Sequence, residues 1–156
     1  MSISISSPIT GSAQTGLTSP TYTVVTDRSP ASPQVQQVAV SALGGTQAGV
    51  RASSVSDPFV LWIKAPAQLR ALPLFSLANG RLPNVPFNTW TAATKKGLIP
   101  ASGLVSLPGQ IESRFSIPAG AETYDAANMR AMISAHIGLL DQVSAALGDA
   151  FVTGTP

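Results

Sequence analysis

Gln110-Ile111-Glu112-Ser113-Arg114-Phe115-Ser116-Ile117 alternates without a break. Ile111, Ser113, Phe115 and Ile117 share one face, and Gln110, Glu112, Arg114 and Ser116 share the other. A period of two with one apolar and one polar face predicts a half-buried strand of an antiparallel sheet. Eight residues further on the period changes. From Asp125, a plausible N-cap, the residues Met129, Met132, Ile133, Ile137, Leu140, Val143 and Leu147 follow helical spacing. An amphipathic helix needs an apolar surface to lie on, and the apolar face of 110–117 can supply it. The stripe is wide, and the opposite side is Ala and Ser rather than Lys and Glu. Gly148 is read as the stop, and Gly138 predicts a kink or break near 138–142.

Upstream, the chain reads as β throughout. Ser2-Ile3-Ser4-Ile5 alternates strictly, Thr21–Thr26 is rich in β-formers, and Val38–Val40 precedes Gly44-Gly45, read as a turn pair. Asp57-Pro58 starts a turn before the apolar run Phe59–Ile63, and Asn79-Gly80 signals a tight turn. Prolines at 66, 73, 83 and 86 forbid a central strand across 65–87. Asn88–Lys96 forms another strand, with Trp90 on the helix side and Lys95 on the polar side. Residues 97–109 carry no charge and read as a long loop, in which Leu98, Ile99, Leu104, Val105 and Leu107 present apolar surface. The whole is an α+β chain: an antiparallel sheet followed by C-terminal α-helices. It is read as one domain over 1–156, with a β body at 1–120 and a helical tail at 121–156.

The 156 residues include 9 basic, 7 acidic and 1 histidine side chain; charged residues are 10% of the chain, and mean hydropathy is +0.26. An average soluble domain is about 25% charged. A 15.9 kDa monomer exposes roughly 7,000 Å² by the usual scaling. So few charges on that surface favour a chain that hides much of it against other copies. Charge is also segregated: residues 1–120 hold 8 basic and 3 acidic side chains, whereas 121–156 hold 1 basic and 4 acidic. The absence of cysteine removes thiolate chemistry, disulfides and Cys-ligated metals, and a single histidine, His136, removes multi-histidine sites. No apolar run approaches the ~20 residues of a membrane helix, and the N-terminus lacks the pattern of a secretory signal.

No catalytic constellation emerges. Nucleophile-elbow and Walker motifs are absent, and His136 lies at the margin of the helical stripe. Asp57 and Glu112 are better read as a turn residue and as a partner of a basic side chain. No enzyme, cofactor, metal, small-molecule substrate or membrane is therefore expected. The basic side chains Arg51, Lys64, Arg70, Arg81, Lys95, Lys96 and Arg114 all fall in the β body. Basic strands interspersed with Ser, Thr and Asn can contact phosphates and unpaired bases.

The run Glu112–Pro118, then Ala119–Asp125, then a helix carrying Ile137-Gly138-Leu139-Leu140, resembles the coat proteins of single-stranded RNA bacteriophages. The ending Gly148–Gly154, the segment Ala39–Thr46 and the segment Ser53–Phe59 are similar to related phage coats. The resemblance implies an N-terminal hairpin, and an interlocked homodimer in which each chain's helices cross the partner's sheet. It further implies an icosahedral capsid, assembled in the bacterial host cytoplasm around the single-stranded RNA genome. The face away from the helices would then meet RNA, including a hairpin at the replicase start whose binding represses translation. RNA-binding positions so assigned are Gln110, Glu112, Arg114 and Ser116, joined by the basic residues Arg51, Lys64 and Lys95. Met129, Met132, Ile133, Ile137 and Leu140 become the dimer interface, and the 97–109 loop becomes an inter-dimer contact. The first 20 residues and segment 65–87 have no counterpart in smaller members. Two rival classes make different forecasts. A surface or secreted β-rich adhesion domain would carry no RNA and form no shell, and a small hydrolase would show a cleft with paired acids.

Overall fold

The computed structural model describes residues 3–27, 34–75, 80 and 84–155. Six strands form one sheet: β1 (Ile9–Thr10), β2 (Thr18–Thr26), β3 (Val35–Thr46), β4 (Phe59–Lys64), β5 (Phe87–Leu98) and β6 (Leu107–Pro118). Their spatial order equals their chain order, and every pairing is antiparallel. β1 and β2 make a short N-terminal hairpin. Three helices follow: α1 (Ala121–Tyr124), α2 (Ala126–Gln142) and α3 (Ser144–Thr153). None of the helices among the described residues is long and apolar enough to cross a membrane.

The sheet has two unlike faces. Trp90 pairs with Phe115 and Ala92 with Ser113, which puts them on the same face as Leu61, Val38 and Val40. That face meets the helices: Phe115 and His136 of α2 touch edge to face at 5.8 Å. At the other end of the same face, Val24, Val38 and the fully buried Val40 form a small core with Ile5, Ile9, Tyr22, Phe59 and Leu61. The alternation at Ile3–Ile5 is not a strand. Residues 3–6 have no regular structure, and Ile5 serves to cap this core.

Several expectations are corrected. Gly44-Gly45 lies within β3, beside a register shift in the β2–β3 ladder. A Cβ on Gly45 (φ +73) would fall 2.2 Å from the Ser19 carbonyl, so this pair permits a bulge rather than a turn. The 97–109 segment is largely strand. Gly97 pairs with Pro108 and Leu98 with Leu107, which leaves 99–106 as the loop. β6 lies at the sheet edge, the place where a strand can contain Pro108. α2 runs unbroken through Gly138, and the break comes at Val143. α3 passes through Gly148 and ends at Gly154 (φ 71), a left-handed C-cap. Gly148 is small for another reason: a Cβ there would lie 2.1 Å from Oε1 of Gln14. Gln14 Nε2 donates to the Ser144 carbonyl (2.9 Å) and hydroxyl (2.7 Å), and Thr15 Oγ1 donates to Asp149 Oδ2 (2.9 Å). The N-terminal segment thus ties down the last helix. Asp125 does occupy the cap position between α1 and α2, but its carboxylate accepts from the Asn128 side chain at 2.7 Å.

Segment 65–75 has no strand, as its prolines require. It is held by Asn88, 4% exposed, whose side chain accepts from the Arg70 N–H (2.8 Å) and donates to the Arg70 carbonyl (3.0 Å). The turn expected at Asn79-Gly80 falls half outside the described residues; Gly80 itself has a turn conformation, with φ +61.

Candidate nucleic-acid interface

The face away from the helices is built by the alternate residues of β4, β5 and β6. The register aligns Lys64 with Thr91 and Thr91 with Arg114, then Trp62 with Ala93 and Ala93 with Glu112, then Val60 with Lys95 and Lys95 with Gln110. Thr89 and Ser116 extend the pattern, their hydroxyls 3.4 Å apart. Six of the seven sequence-predicted positions, Lys64, Lys95, Gln110, Glu112, Arg114 and Ser116, therefore share one surface. No helix covers it. Glu112 holds the Arg114 guanidinium at 3.6 Å and accepts from Gln110 Nε2 at 3.3 Å. The Arg114 side chain remains 70% exposed, so this pairing leaves it available to solvent anions.

Arg51 stands apart, in the loop between β3 and β4. Its Nε bonds Asp57 Oδ2, and its Nη2 donates to the Gly97 carbonyl at 3.2 Å. Lys96 Nζ donates to the other Asp57 oxygen at 3.0 Å while lying 5.3 Å from the centre of the Phe59 ring. Asp57 is 8% exposed and accepts from both cations. Gly97 has no side chain because the carboxylate occupies that space: a Cβ would lie 2.0 Å from Asp57 Oδ1. Ser106 Oγ donates to the Ser56 carbonyl at 2.6 Å, and Gly97 N–H donates to the Pro58 carbonyl at 2.7 Å. This knot joins the 47–58 loop to both ends of the 99–106 loop. The sequence reading missed it because Lys96 and Asp57 lie 39 positions apart.

The Arg51 hydrogen bond, helped by that of Lys96, holds the Asp57 carboxyl below the usual carboxylate range against a desolvation effect that raises it. A depressed folded-state pKa contributes stability above the unfolded value of about 3.9, and that contribution is lost as pH falls through the folded value. Thermal melts of Asp57→Asn should show a lower Tm at neutral pH and a flatter acid limb below about pH 4 than the parent chain. Superimposable acid limbs would show that the knot does not govern the pH response.

Among the described residues no cluster of three His, Asp or Glu side chains could hold a metal. His136 is engaged with Phe115. Asp57 is committed to its two cations, and Glu112 sits on an open sheet face.

No protein-family model matches the chain, and no curated protein matches it. Among solved structures, the virus-like particle of bacteriophage ESE020 matches with a TM-score of 0.94 and 42% identity, over 99% of this chain and 100% of that one. An antiparallel six-stranded sheet followed by C-terminal helices, superposable end to end at that identity, makes this a structural virion protein that self-assembles into a capsid, and no enzyme. The chain belongs to the coat proteins of single-stranded RNA bacteriophages.

Proposed function

We propose that the coat protein acts as a homodimer whose uncovered sheet face binds and packages single-stranded RNA inside the shell. The observation that carries this reading is the gathering of Lys64, Lys95 and Arg114, with Thr, Ser and Gln between them, on the face opposite the acidic helical tail. β6 is a 12-residue edge strand, and a second copy pairing along it would double this surface. Phosphate neutralisation by these cations gives affinity without sequence preference, and hydroxyl and amide side chains meet bases and sugars. Binding of a defined RNA hairpin, with repression of the replicase, would use this same face.

The test is the nucleic-acid content of purified particles, read from the absorbance ratio at 260 and 280 nm beside electron microscopy. Lys95→Ala and Arg114→Ala should each lower packaged RNA while dimers persist. Each should also reduce the slope of log affinity against log salt by about 0.7. Normal packaging by both variants at physiological salt would put the RNA on another surface.

A further inference from the structure

We propose that the 47–58 loop makes a ring-forming contact in the shell, with the Val55 turn of one copy seated in the cleft between the 47–58 and 99–106 loops of the next copy. The inference rests on the capsid that the chain forms and not on the RNA-binding face.

Val55 is the knob. Ser54 and Asp57 exchange backbone hydrogen bonds, the Ser54 N–H donating to the Asp57 carbonyl at 3.0 Å and the Asp57 N–H to the Ser54 carbonyl at 3.3 Å. Val55 and Ser56 are therefore the two central residues of a tight turn. Gly, Pro, Asn, Asp and Ser dominate such positions, and a β-branched side chain gains nothing there. Val55 is completely exposed and adds no packing to its own chain. The turn is nonetheless firmly mounted. The Ser53 N–H donates to the Val40 carbonyl at 2.8 Å. The Ser53 hydroxyl accepts from the Phe59 N–H and the Ser54 hydroxyl from the Asp57 N–H, each at 3.1 Å. An aliphatic group held out in water, on a turn that does not need it, marks a contact with something else.

The hole lies beside it. A cleft of about 530 Å³ opens between the two loops, with Ala52, Ile99 and Val105 as apolar walls. Roughly 150 Å³ houses a benzene-sized group, so the cleft takes the tip of a turn and not one methyl alone. Its polar groups are already engaged. Asp57 is bound by Arg51 and Lys96, and the Ser106 hydroxyl donates to the Ser56 carbonyl at 2.6 Å. An apolar side chain entering there strands no acceptor. The same bonds lock the two loops to one another, so knob and hole keep a fixed spacing.

Knob and hole are different patches of one chain, and the knob stands outside its own hole. A contact of that kind is head-to-tail: each copy gives one knob and receives one, and a rotation that closes makes a ring. A closed shell has such rings about its axes, and this chain assembles into a capsid. A second copy is thus the occupant that the geometry fits. A small apolar ligand would fill the hole and leave Val55 unexplained.

The chain has no cysteine, so introduced thiols report on this contact alone. Val55→Cys and Ile99→Cys are made as separate full-length variants, mixed in equal amounts, assembled and mildly oxidised. Each variant carries one thiol, so a disulfide from position 55 to position 99 can join only two copies. Peptide mapping should find this link in particles and not in unassembled protein. Val55→Ser puts a favoured turn residue at the tip, so the unassembled protein should melt no lower than the parent while particles disassemble at lower temperature. Val55→Asp should keep the parent's circular dichroism and lower the particle yield at fixed concentration by about tenfold or more. Links of 55 to 55 or of 99 to 99 alone, or a 55–99 link already present before assembly, would overturn the contact. So would parent-like particles from Val55→Asp. An unassembled Val55→Ser chain melting well below the parent would overturn it too, by giving Val55 a role within its own fold.

Discussion

Replacing Ile137 with aspartate should abolish soluble assembly. In the single chain Ile137 is 57% exposed, and none of the residues of α1, α2 or α3 is buried. Leu139, Leu140, Val143, Leu147, Phe151 and Val152 are also open. The chain alone exposes 11017 Å², about half as much again as the roughly 7,000 Å² of a compact monomer of this mass. Obligate dimer interfaces bury about 2,000–5,000 Å² in total, counted over both partners. The excess is enough for each chain to contribute to such an interface and to shell contacts besides. Each aliphatic side chain fully covered by a partner contributes about 1.5–3 kcal/mol. Six such residues therefore rival the 5–15 kcal/mol that separates folded from unfolded domains. An aspartate in their midst would be buried without a partner, at a cost of several kcal/mol. The expected result is insoluble protein, or soluble chain without native circular dichroism, at micromolar concentration, as for homodimers with no folded monomer. Leu140→Asp should behave alike. A monomer by light scattering with intact circular dichroism would show that the helices fold without a second copy.

The parts of this molecule legible in the sequence are those where a pattern meets only one surface. β6 alternates because one side faces the helices and the other faces outward, so Arg114 and Glu112 were assigned together with Gln110 and Ser116. α2 was legible from its stripe, with Met129, Ile133 and Ile137 recurring at helical spacing. Where local signals serve non-local ends, the reading failed. Gly44-Gly45 has the composition of a turn, yet the glycines are needed because Ser19 and Thr21 of β2 press against them. Gly148 resembles a helix stop, yet its missing side chain makes room for Gln14, 134 residues earlier. Asp57 closes a turn rather than opening one, its N–H donating to the Ser54 carbonyl at 3.3 Å. Its carboxylate, however, is spent on Arg51 and Lys96, and that removes Arg51 from the polar face.

Replacing residues 99–106 by Asn-Gly should leave the proposed dimer folded and change the shell. Leu98 and Leu107 are paired at the closing end of the β5–β6 ladder, the register that a two-residue turn accepts. The hairpin should therefore close without the loop. The loop itself has no charge, and Ile99, Leu104 and Val105 are 48%, 56% and 80% exposed, beside Leu98 and Leu107 at 58% and 57%. A free surface rarely tolerates such a cluster. On the proposed dimer, contact with loops of neighbouring copies in the shell would remove it from water. The base of the loop is fixed by Ser106 on Ser56 and by the Asp57 knot, while Gly103 (φ +80), with nothing within 4 Å of its Cβ position, leaves the tip free to differ between non-equivalent sites. Removing three exposed aliphatic side chains per chain forfeits up to about 1.5–3 kcal/mol for each one fully buried in the shell, multiplied over every loop in the particle. Isolated dimers should melt within a few degrees of the parent. Particles should disassemble at markedly lower temperature or form at a different diameter. Parent-like diameter and disassembly temperature, measured by light scattering and electron microscopy, would show that the loop takes no part in holding dimers together.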